Sequence, residues 1–438
     1  MEYVHVESIG KPTPGTPDYL GATIGQVRTC LFSLIGGLKQ TRSGMDTLIG
    51  VTHKIDDFRL RYLLPHEKRL LIDSGGYSII VGDVAERDIL KTTDLYHEYQ
   101  AKARGAYDYI MTLDIPLILD NPGFNRVDQV YHHNLRSLAT TRENMDRYPE
   151  LREKAYLVVQ FKTREHHEIW ERISAELDLN RYFRHRALGG MVSLRKITGI
   201  EFSPFTPNAF KCLFDFLSGP DPSNEFRLHF LGINVRSDRF TIAILERLFR
   251  RYLGRHHKVS LTYDSIAHTL GIQRNMRSME IYSWADSLVF YPGIPDVPDK
   301  VLQLVYPEEL LEPLKEDIYN LRRRRRVNDA RAFDALNVHS NVMLNRFFEN
   351  VIDEYDLVDL IIDFKNGVHF ANRVRHVFKD LAAKHPQLFT PSLVSSIETN
   401  LKIILDLSRW YLTRRDLETL KIKILQMIDQ IGFPKILT

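Results

Sequence analysis

The sequence predicts an α/β protein, a (β/α)₈ barrel of the TIM type followed by an all-helical C-terminal appendage. Short apolar runs end in a polar residue or a glycine about every 30 to 46 residues along the chain. Segments with helical periodicity lie between these runs, and each interval is long enough for a strand, a helix and a return loop. Repeated strand–helix units form a parallel sheet, and their number is that of a closed barrel.

Six of the expected strands share the pattern of an apolar run followed by a polar residue or a glycine. With their terminal residues they cover residues 70–73, 109–114, 156–160, 186–190, 228–232 and 259–264. Residues 287–290 are expected to form a later strand, and residues 30–34 or 47–51 to supply the early ones. Helical periodicity predicts helices at residues 93–104, 127–145 and 239–252.

The pattern changes at about residue 295, where strand–helix alternation gives way to helices alone. Apolar residues recur at helical spacing in residues 333–355, 357–384, 391–411 and 415–431. Thr390 and Pro391 supply an N-cap and a first-turn proline for the third of these helices. We therefore divide the chain into a barrel domain at residues 1–294 and a helical domain at residues 295–438, which we expect to dock on the barrel.

The composition is that of an ordinary soluble protein, with 44% hydrophobic residues in a chain of 438. No apolar run approaches the ~20 residues that a membrane span needs, and residues 1–10 lack the layout of a secretory signal. The two cysteines, Cys30 and Cys212, indicate a reducing compartment without disulfides. We therefore expect a cytoplasmic protein with no membrane partner, located in the host cytoplasm if a phage encodes it.

A run of arginines stands out against a formal net charge of only +3. The run consists of Arg322, Arg323, Arg324, Arg325 and Arg326. Consecutive residues of a helix point all round its axis, so these side chains cannot all be buried or paired internally. The run is either a solvated helical face or an element that contacts nucleic-acid phosphates.

In a parallel barrel the carboxyl ends of the strands meet at one mouth, where α/β folds keep their chemistry. The polar and glycine residues that the sequence places there are Asp73, Asp114, Gln160, Gly189, Gly190, Gly232 and Asp264. Asp73 opens the segment Asp-Ser-Gly-Gly-Tyr, whose two glycines let the backbone turn sharply and approach a ligand. Taken alone, Asp73 fits equally well as a turn aspartate bonded to its own loop, and Tyr77 fits better as a core aromatic.

These motifs, in this order over residues 70–291, resemble the tRNA-guanine transglycosylase superfamily, and most closely its DpdA-type members from phages and bacteria, which act on DNA. The resemblance implies that Asp264 is the nucleophile and Asp73 the general acid/base. It implies that Tyr77 stacks on one face of the target base and that Leu231, beside Gly232, covers the other. The remaining base-binding residues that it implies are Ser74 in the Asp73 motif, Asp114 at the Watson–Crick edge, and Gln160, Gly189 and Gly190 at the base carbonyl.

The function that the resemblance implies is exchange of guanine in DNA for a 7-deazaguanine derivative through a covalent aspartyl-nucleoside intermediate. Two carboxylates suit this reaction, because one can bond to the oxocarbenium-like sugar while the other handles the proton of the base. The implied partners are DNA and the free 7-deazaguanine base. The alternatives are the same exchange on tRNA and a non-catalytic, nucleic-acid-binding subunit with the same barrel; a homodimer or other protein partners are left open.

The sequence departs from the family pattern in three places. The family's zinc site of three cysteines and a histidine cannot be built, because no cysteine lies beyond Cys212. We therefore expect no structural zinc and no other cofactor, and the case for tRNA is weaker. Residues 267–270 keep only Thr269 of the family's Pro-Thr-Arg segment. Phe161 and Lys162 replace two glycines, so the pocket near Gln160 must be shaped differently.

Overall fold

Eight parallel strands form a closed barrel, as the sequence predicts. The computed structural model describes residues 1–7, 19–34, 47–75, 89–115, 126–160, 164–190, 202–217, 225–265, 281–284, 288–291, 298–322, 334–363, 367–414, 419, 422–424 and 426–427. The barrel strands are β1 Glu2–Glu7, β2 Thr29–Ser33, β3 Arg69–Asp73, β4 Tyr109–Met111, β5 Ala155–Gln160, β6 His185–Gly189, β7 Glu225–Phe230 and β8 Lys258–Asp264. Each pairs with its neighbours in chain order, and β1 closes the barrel by pairing with both β2 and β8.

Two of the expected barrel strands were wrong, and one barrel strand was not foreseen. Residues 47–51 begin the helix Thr47–Phe58, because a short apolar run fits a buried helix as well as a strand. Most of residues 287–290 lies in β10 (Leu288–Tyr291), which pairs antiparallel with β9 (Ile281–Trp284) in a separate two-stranded sheet. The barrel strand that was not foreseen is β1, whose sequence Glu-Tyr-Val-His-Val-Glu contains no apolar run longer than two residues.

Helices follow the barrel strands and surround them. They are α1 Tyr19–Gly25, α2 Thr47–Phe58, α3 Ile89–Lys102, α4 Val127–Arg147, α5 Arg164–Glu176, α6 Leu179–Tyr182, α7 Phe205–Leu217 and α8 Arg236–Leu253. A π-helical turn at Arg59–Leu63 and 3₁₀ turns at Leu64–His66, Pro149–Glu153 and Gly254–His256 complete the described helical structure of this part. The predicted helices at residues 93–104, 127–145 and 239–252 correspond to α3, α4 and α8.

Beyond residue 298, the described C-terminal part consists of helices joined by turns and contains no strand. Its helices are α9 Asp299–Leu302, α10 Glu308–Arg322, α11 Asp334–Glu354, α12 Leu357–Asp363, α13 Gly367–Lys384 and α14 Pro391–Arg414. Residues 357–384, expected to form one helix, contain two, α12 and α13. The described residues between 415 and 431 are also helical.

The C-terminal helices pack on one side of the barrel. Helix α11 contacts β1, α1 and α8, and α14 contacts α7 and α8. At the centre of this contact the Phe240 ring of α8 lies 5.1 Å from the ring of Phe348 and 5.8 Å from that of Phe378. One continuous hydrophobic core therefore joins the outside of the barrel to the C-terminal helices. Among the described residues, no helix is both long and apolar enough to span a membrane.

Candidate active site at the C-terminal mouth of the barrel

A second, smaller core fills the inside of the barrel and determines which residues point into its mouth. Its members are Val4, Leu31, Leu71, Met111, Tyr156, Val158 and Ala187. Side chains alternate along a strand, so the residue two positions after an inner core residue also points inward, one layer closer to the mouth. These pairs of core residue and mouth residue are Leu71 and Asp73, Val158 and Gln160, and Ala187 and Gly189.

Asp73 ends β3 beside Ser33 of β2, and its side chain is partly exposed at the mouth. Its carboxylate accepts hydrogen bonds from the backbone N–H groups of Ser74 and Gly75. Gly75, whose N–H is one of these donors, has φ of +82°, a left-handed conformation that favours glycine. Burial, followed by the negative charges of Asp114 and Asp264, raises the pKa of Asp73 to about 7. Asp73 is therefore able to hold a proton near neutral pH.

Asp114 follows β4 and is 3% exposed. The Ser74 hydroxyl donates to its Oδ1 over 3.2 Å, and the side-chain amide of Gln160 donates to its Oδ2. Within the described structure, the buried Oε1 of Gln160 has no hydrogen-bond partner. Three of the residues that the sequence assigned to base binding therefore form one connected group.

Gly189 lies directly opposite Gln160 in the pairing of β5 with β6. A Cβ atom built on Gly189 would meet the Gln160 side chain at 3.1 Å from Cγ and 3.3 Å from Nε2. The glycine thus leaves the space that the Gln160 side chain occupies. Gly190 follows with φ of +71°, which turns the backbone sharply at the end of the strand.

Asp264 ends β8 and is 6% exposed. The backbone N–H of Gly232 donates to its Oδ1, and the N–H of Ile233 donates to its backbone carbonyl over 2.8 Å. Leu231, one residue earlier, packs against the inner core of the barrel. The turn after β7 thus holds Asp264 by two amides and places Leu231 beside it.

His229 is a site residue that the sequence analysis missed. It is fully buried inside the barrel on β7, two positions before Leu231. Its Nε2 lies 3.7 Å from Asp264 Oδ1, and its Nδ1 lies 2.8 Å from the Thr262 hydroxyl. One sequence feature could have identified it. His229 is a single histidine within an apolar run, two residues before Leu231, so both side chains lie on the same face of the strand.

Several predicted site residues lie outside the described part of the chain. These are Tyr77, which was expected to stack on the base, and Arg323, Arg324, Arg325 and Arg326 of the arginine run. Arg322 is the last residue of α10, and its backbone alone is described. The departures at residues 161–162 and 267–270 also fall outside. Their predicted roles stay predictions.

Among the described residues, no group of three or more His, Cys, Asp or Glu side chains could hold a metal ion. Cys30 and Cys212 are both buried and unpaired with each other, and burial raises the pKa of the Cys212 thiol to about 12. Both cysteines are therefore small core residues in this fold.

The mouth brings together two carboxylates with different surroundings. Asp73 has a raised pKa and a partly exposed side chain, whereas Asp264 is almost fully covered and bonded to a backbone amide. A protonated carboxyl can act as an acid, and an oriented carboxylate can act as a nucleophile or stabilise positive charge. No protein-family model matches this chain, and no curated protein matches it either. Fold and site together define a (β/α)₈-barrel protein with a carboxylate-lined mouth.

Proposed function

We propose that this protein is a guanine transglycosylase that replaces guanine in DNA by a 7-deazaguanine derivative. The observation that carries the proposal is the pairing of Asp73 and Asp264 at one mouth, close enough for the charge of Asp264 to raise the pKa of Asp73. Exchange at a glycosidic carbon requires one carboxyl group that can supply a proton and a second carboxylate that can bond to the sugar. The family resemblance of the motifs supports the same assignment.

In the proposed first half-reaction, an Asp264 carboxylate oxygen attacks C1′ of the target nucleotide. The bond from C1′ to N9 of guanine breaks, its electron pair passes to the base, and Asp73 supplies the proton. In the second half, the incoming base gives its proton to Asp73 and attacks C1′, which releases the Asp264 carboxylate. Asp73 acts as acid and then as base, so the cycle returns both groups to their starting states.

The group formed by Ser74, Asp114 and Gln160 supplies the chemistry to recognise guanine. A carboxylate can accept hydrogen bonds from the two N–H donors of guanine, while an amide N–H can donate to its carbonyl. In the structure the Gln160 amide instead donates to Asp114. We therefore infer that base binding separates these two side chains and replaces their mutual hydrogen bond by bonds to the base. Adenine would leave both groups unpaired and so be rejected.

The testing experiment is nucleoside analysis of digested DNA and, separately, of digested tRNA. Both are taken from cells that express this chain and are supplied with a 7-deazaguanine. We expect the modified nucleoside in DNA with the wild-type chain and none with Asp264→Asn. Modification confined to tRNA would move the proposal to the tRNA reaction. A lack of modification in both pools, with the protein folded and the base present, would favour a non-catalytic subunit.

A further inference from the structure

The opposite end of the barrel, where the strands begin, opens into a wide cleft of about 1200 Å³. Its lining contains eight Lys and Arg side chains against three Glu. This local excess of five positive charges is larger than the formal net charge of +3 for the entire chain. The lining of the cleft is therefore a local concentration of positively charged residues.

Some of these cations are neutralised by neighbouring carboxylates. Arg227 pairs with Glu225 over 2.8 Å, and Arg250 pairs with Glu246 over 2.9 Å. Arg227 is 8% exposed, and its guanidinium lies 4.5 Å from the ring centre of Tyr109, so it belongs to the floor of the cleft. The paired cations build the cleft and leave little charge for a ligand.

Unlike Arg227 and Arg250, three of the cations on the walls of the cleft have no carboxylate partner within the described structure. Arg28 precedes β2, Arg255 lies in the turn after α8, and Lys258 begins β8; all three are exposed and line the cleft. In the part of the chain that the structure describes, none of the three forms an ion pair. Lys68 and Arg69 add two further cations whose side chains contact neutral groups, the Gly25 carbonyl and the Tyr109 hydroxyl.

We propose that this cleft binds the phosphate backbone of nucleic acid. Its free cations are spread along separate segments of an open cleft, an arrangement that suits a series of phosphates rather than one enclosed anion. Guanidinium groups match phosphate geometry well. A lipid surface is a poor fit, because the cleft is concave and Val259 is the single aliphatic side chain in its described lining. The choice of DNA among nucleic acids rests on the proposed function.

The test compares two variants that remove the same charges in different places. The cleft variant is Arg28→Gln, Arg255→Gln and Lys258→Gln. The control variant is Arg373→Gln, Arg375→Gln and Lys379→Gln, three exposed residues of α13 outside the cleft. Binding of a fluorescent DNA duplex of about 30 base pairs is measured by anisotropy over a range of KCl concentrations. Three lost phosphate contacts should lower the salt slope of log K by about two to three for the cleft variant. The control should lose less than about one.

Two results would overturn the proposal. The first is a salt slope of the cleft variant that equals the wild type or that falls no more than in the control. The second is displacement of the duplex by millimolar inorganic phosphate beyond the effect of KCl at equal ionic strength, since this identifies a site for a single anion. If the triple variant folds poorly, the same measurement is made with the single substitution Lys258→Glu. The duplex is bound without any free 7-deazaguanine base, so a failure of base exchange leaves this binding result unaffected.

Discussion

The two ends of the barrel are built from the same strands, and the described residues at these ends differ in charge. Strand β3 begins with Arg69 in the basic cleft and ends with Asp73 at the mouth, and β8 runs likewise from Lys258 to Asp264. At a rise of about 3.3 Å per residue, these ends are roughly 13 and 20 Å apart. Each strand thus separates two chemical environments across the thickness of one barrel.

The ends differ in how their polar groups are held. At the mouth, Asp114 and Asp264 are buried and hydrogen-bonded to neighbouring groups of the protein. At the cleft, Arg28 and Lys258 are exposed to solvent. Preorganised buried groups suit the stabilisation of a reacting centre, and exposed cations suit salt-sensitive binding. Substitutions at the mouth should therefore change rates sharply, whereas substitutions at the cleft should change affinity gradually with salt.

The largest effect is expected for Asp264→Asn, which should lower the rate of base exchange at least ~10³-fold. The amide is nearly isosteric with the carboxylate but is a poor nucleophile. The measurement is incorporation of labelled base into duplex DNA, with thermal unfolding as the control for folding. Near-normal exchange by this variant would show that Asp264 is not the nucleophile. It would also weaken the distinction between a catalytic mouth and a binding cleft at the two ends of the barrel.

The next effect concerns Asp73→Asn, which should lower exchange about 10²-fold, the typical contribution of a general acid. Because burial and neighbouring charge raise the pKa of Asp73 to about 7, the wild-type rate should fall as pH rises above about 7. The weak residual activity of the variant should lack this decline. The pH profile of kcat/KM for DNA distinguishes these outcomes, and an identical decline in both proteins would assign the titration to another group.

The same substitution should change stability with a definite sign. Folded Asp73 holds its proton up to about pH 7, whereas the unfolded chain releases it near the ordinary value of 3.8. Between these values the folded state binds more protons, so the free energy of unfolding falls as pH rises. Asp73→Asn should therefore be more stable than wild type at pH 8, by an amount on the order of 4 kcal/mol. The difference should vanish as the pH falls below about 3, where Asp73 is protonated in both states, as urea unfolding at several pH values can establish.

A smaller effect is expected at His229, which we interpret as a positioning residue for Asp264. His229→Ala should lower kcat about 30-fold, because Asp264 keeps its carboxylate but is no longer held in the position from which it reacts. His229→Gln keeps an amide near the position of Nε2 and should recover most of the loss. If alanine and glutamine variants lose equal activity and equal thermal stability, His229 has a purely structural role.

The smallest effect on activity is expected from replacing a glycine at the mouth, with a glycine at the other end of the barrel as the control. Gly189→Ala brings a Cβ to 3.1 Å from Cγ of Gln160 and should raise KM for the incoming base about tenfold. Gly105→Ala, in the turn before β4, places its Cβ where no atom lies within 4 Å and is the matched control. Similar KM values for the two variants would mean that the position of Gln160 does not govern base binding.

Most of the barrel and several mouth residues were predictable, because local sequence carries the necessary signals. An apolar run followed by Asp73 or Asp264 marks the end of a buried strand wherever that strand lies in the sheet. Strand β1 lacks this signal and was not predicted. Residues 47–51 have an apolar run but form the start of helix α2, so they were predicted wrongly. His229 was missed because one polar residue in an apolar strand does not reveal what it faces across the barrel.

The sequence by itself determined that Asp73, Gln160 and Asp264 would end strands and that Asp114 would follow one, since strand period and apolar length are local properties. Only the tertiary structure decided which of them interact. Strand β1 pairs with β8 at Asp264 and with β2, which in turn pairs with β3 at Asp73. Closure through β1 completes the ring in which the two carboxylates face one interior, and it gathers cations from residues 28 to 258 into one cleft. Charges interact through space, so neither the raised pKa of Asp73 nor the basic cleft could be read from their order along the chain.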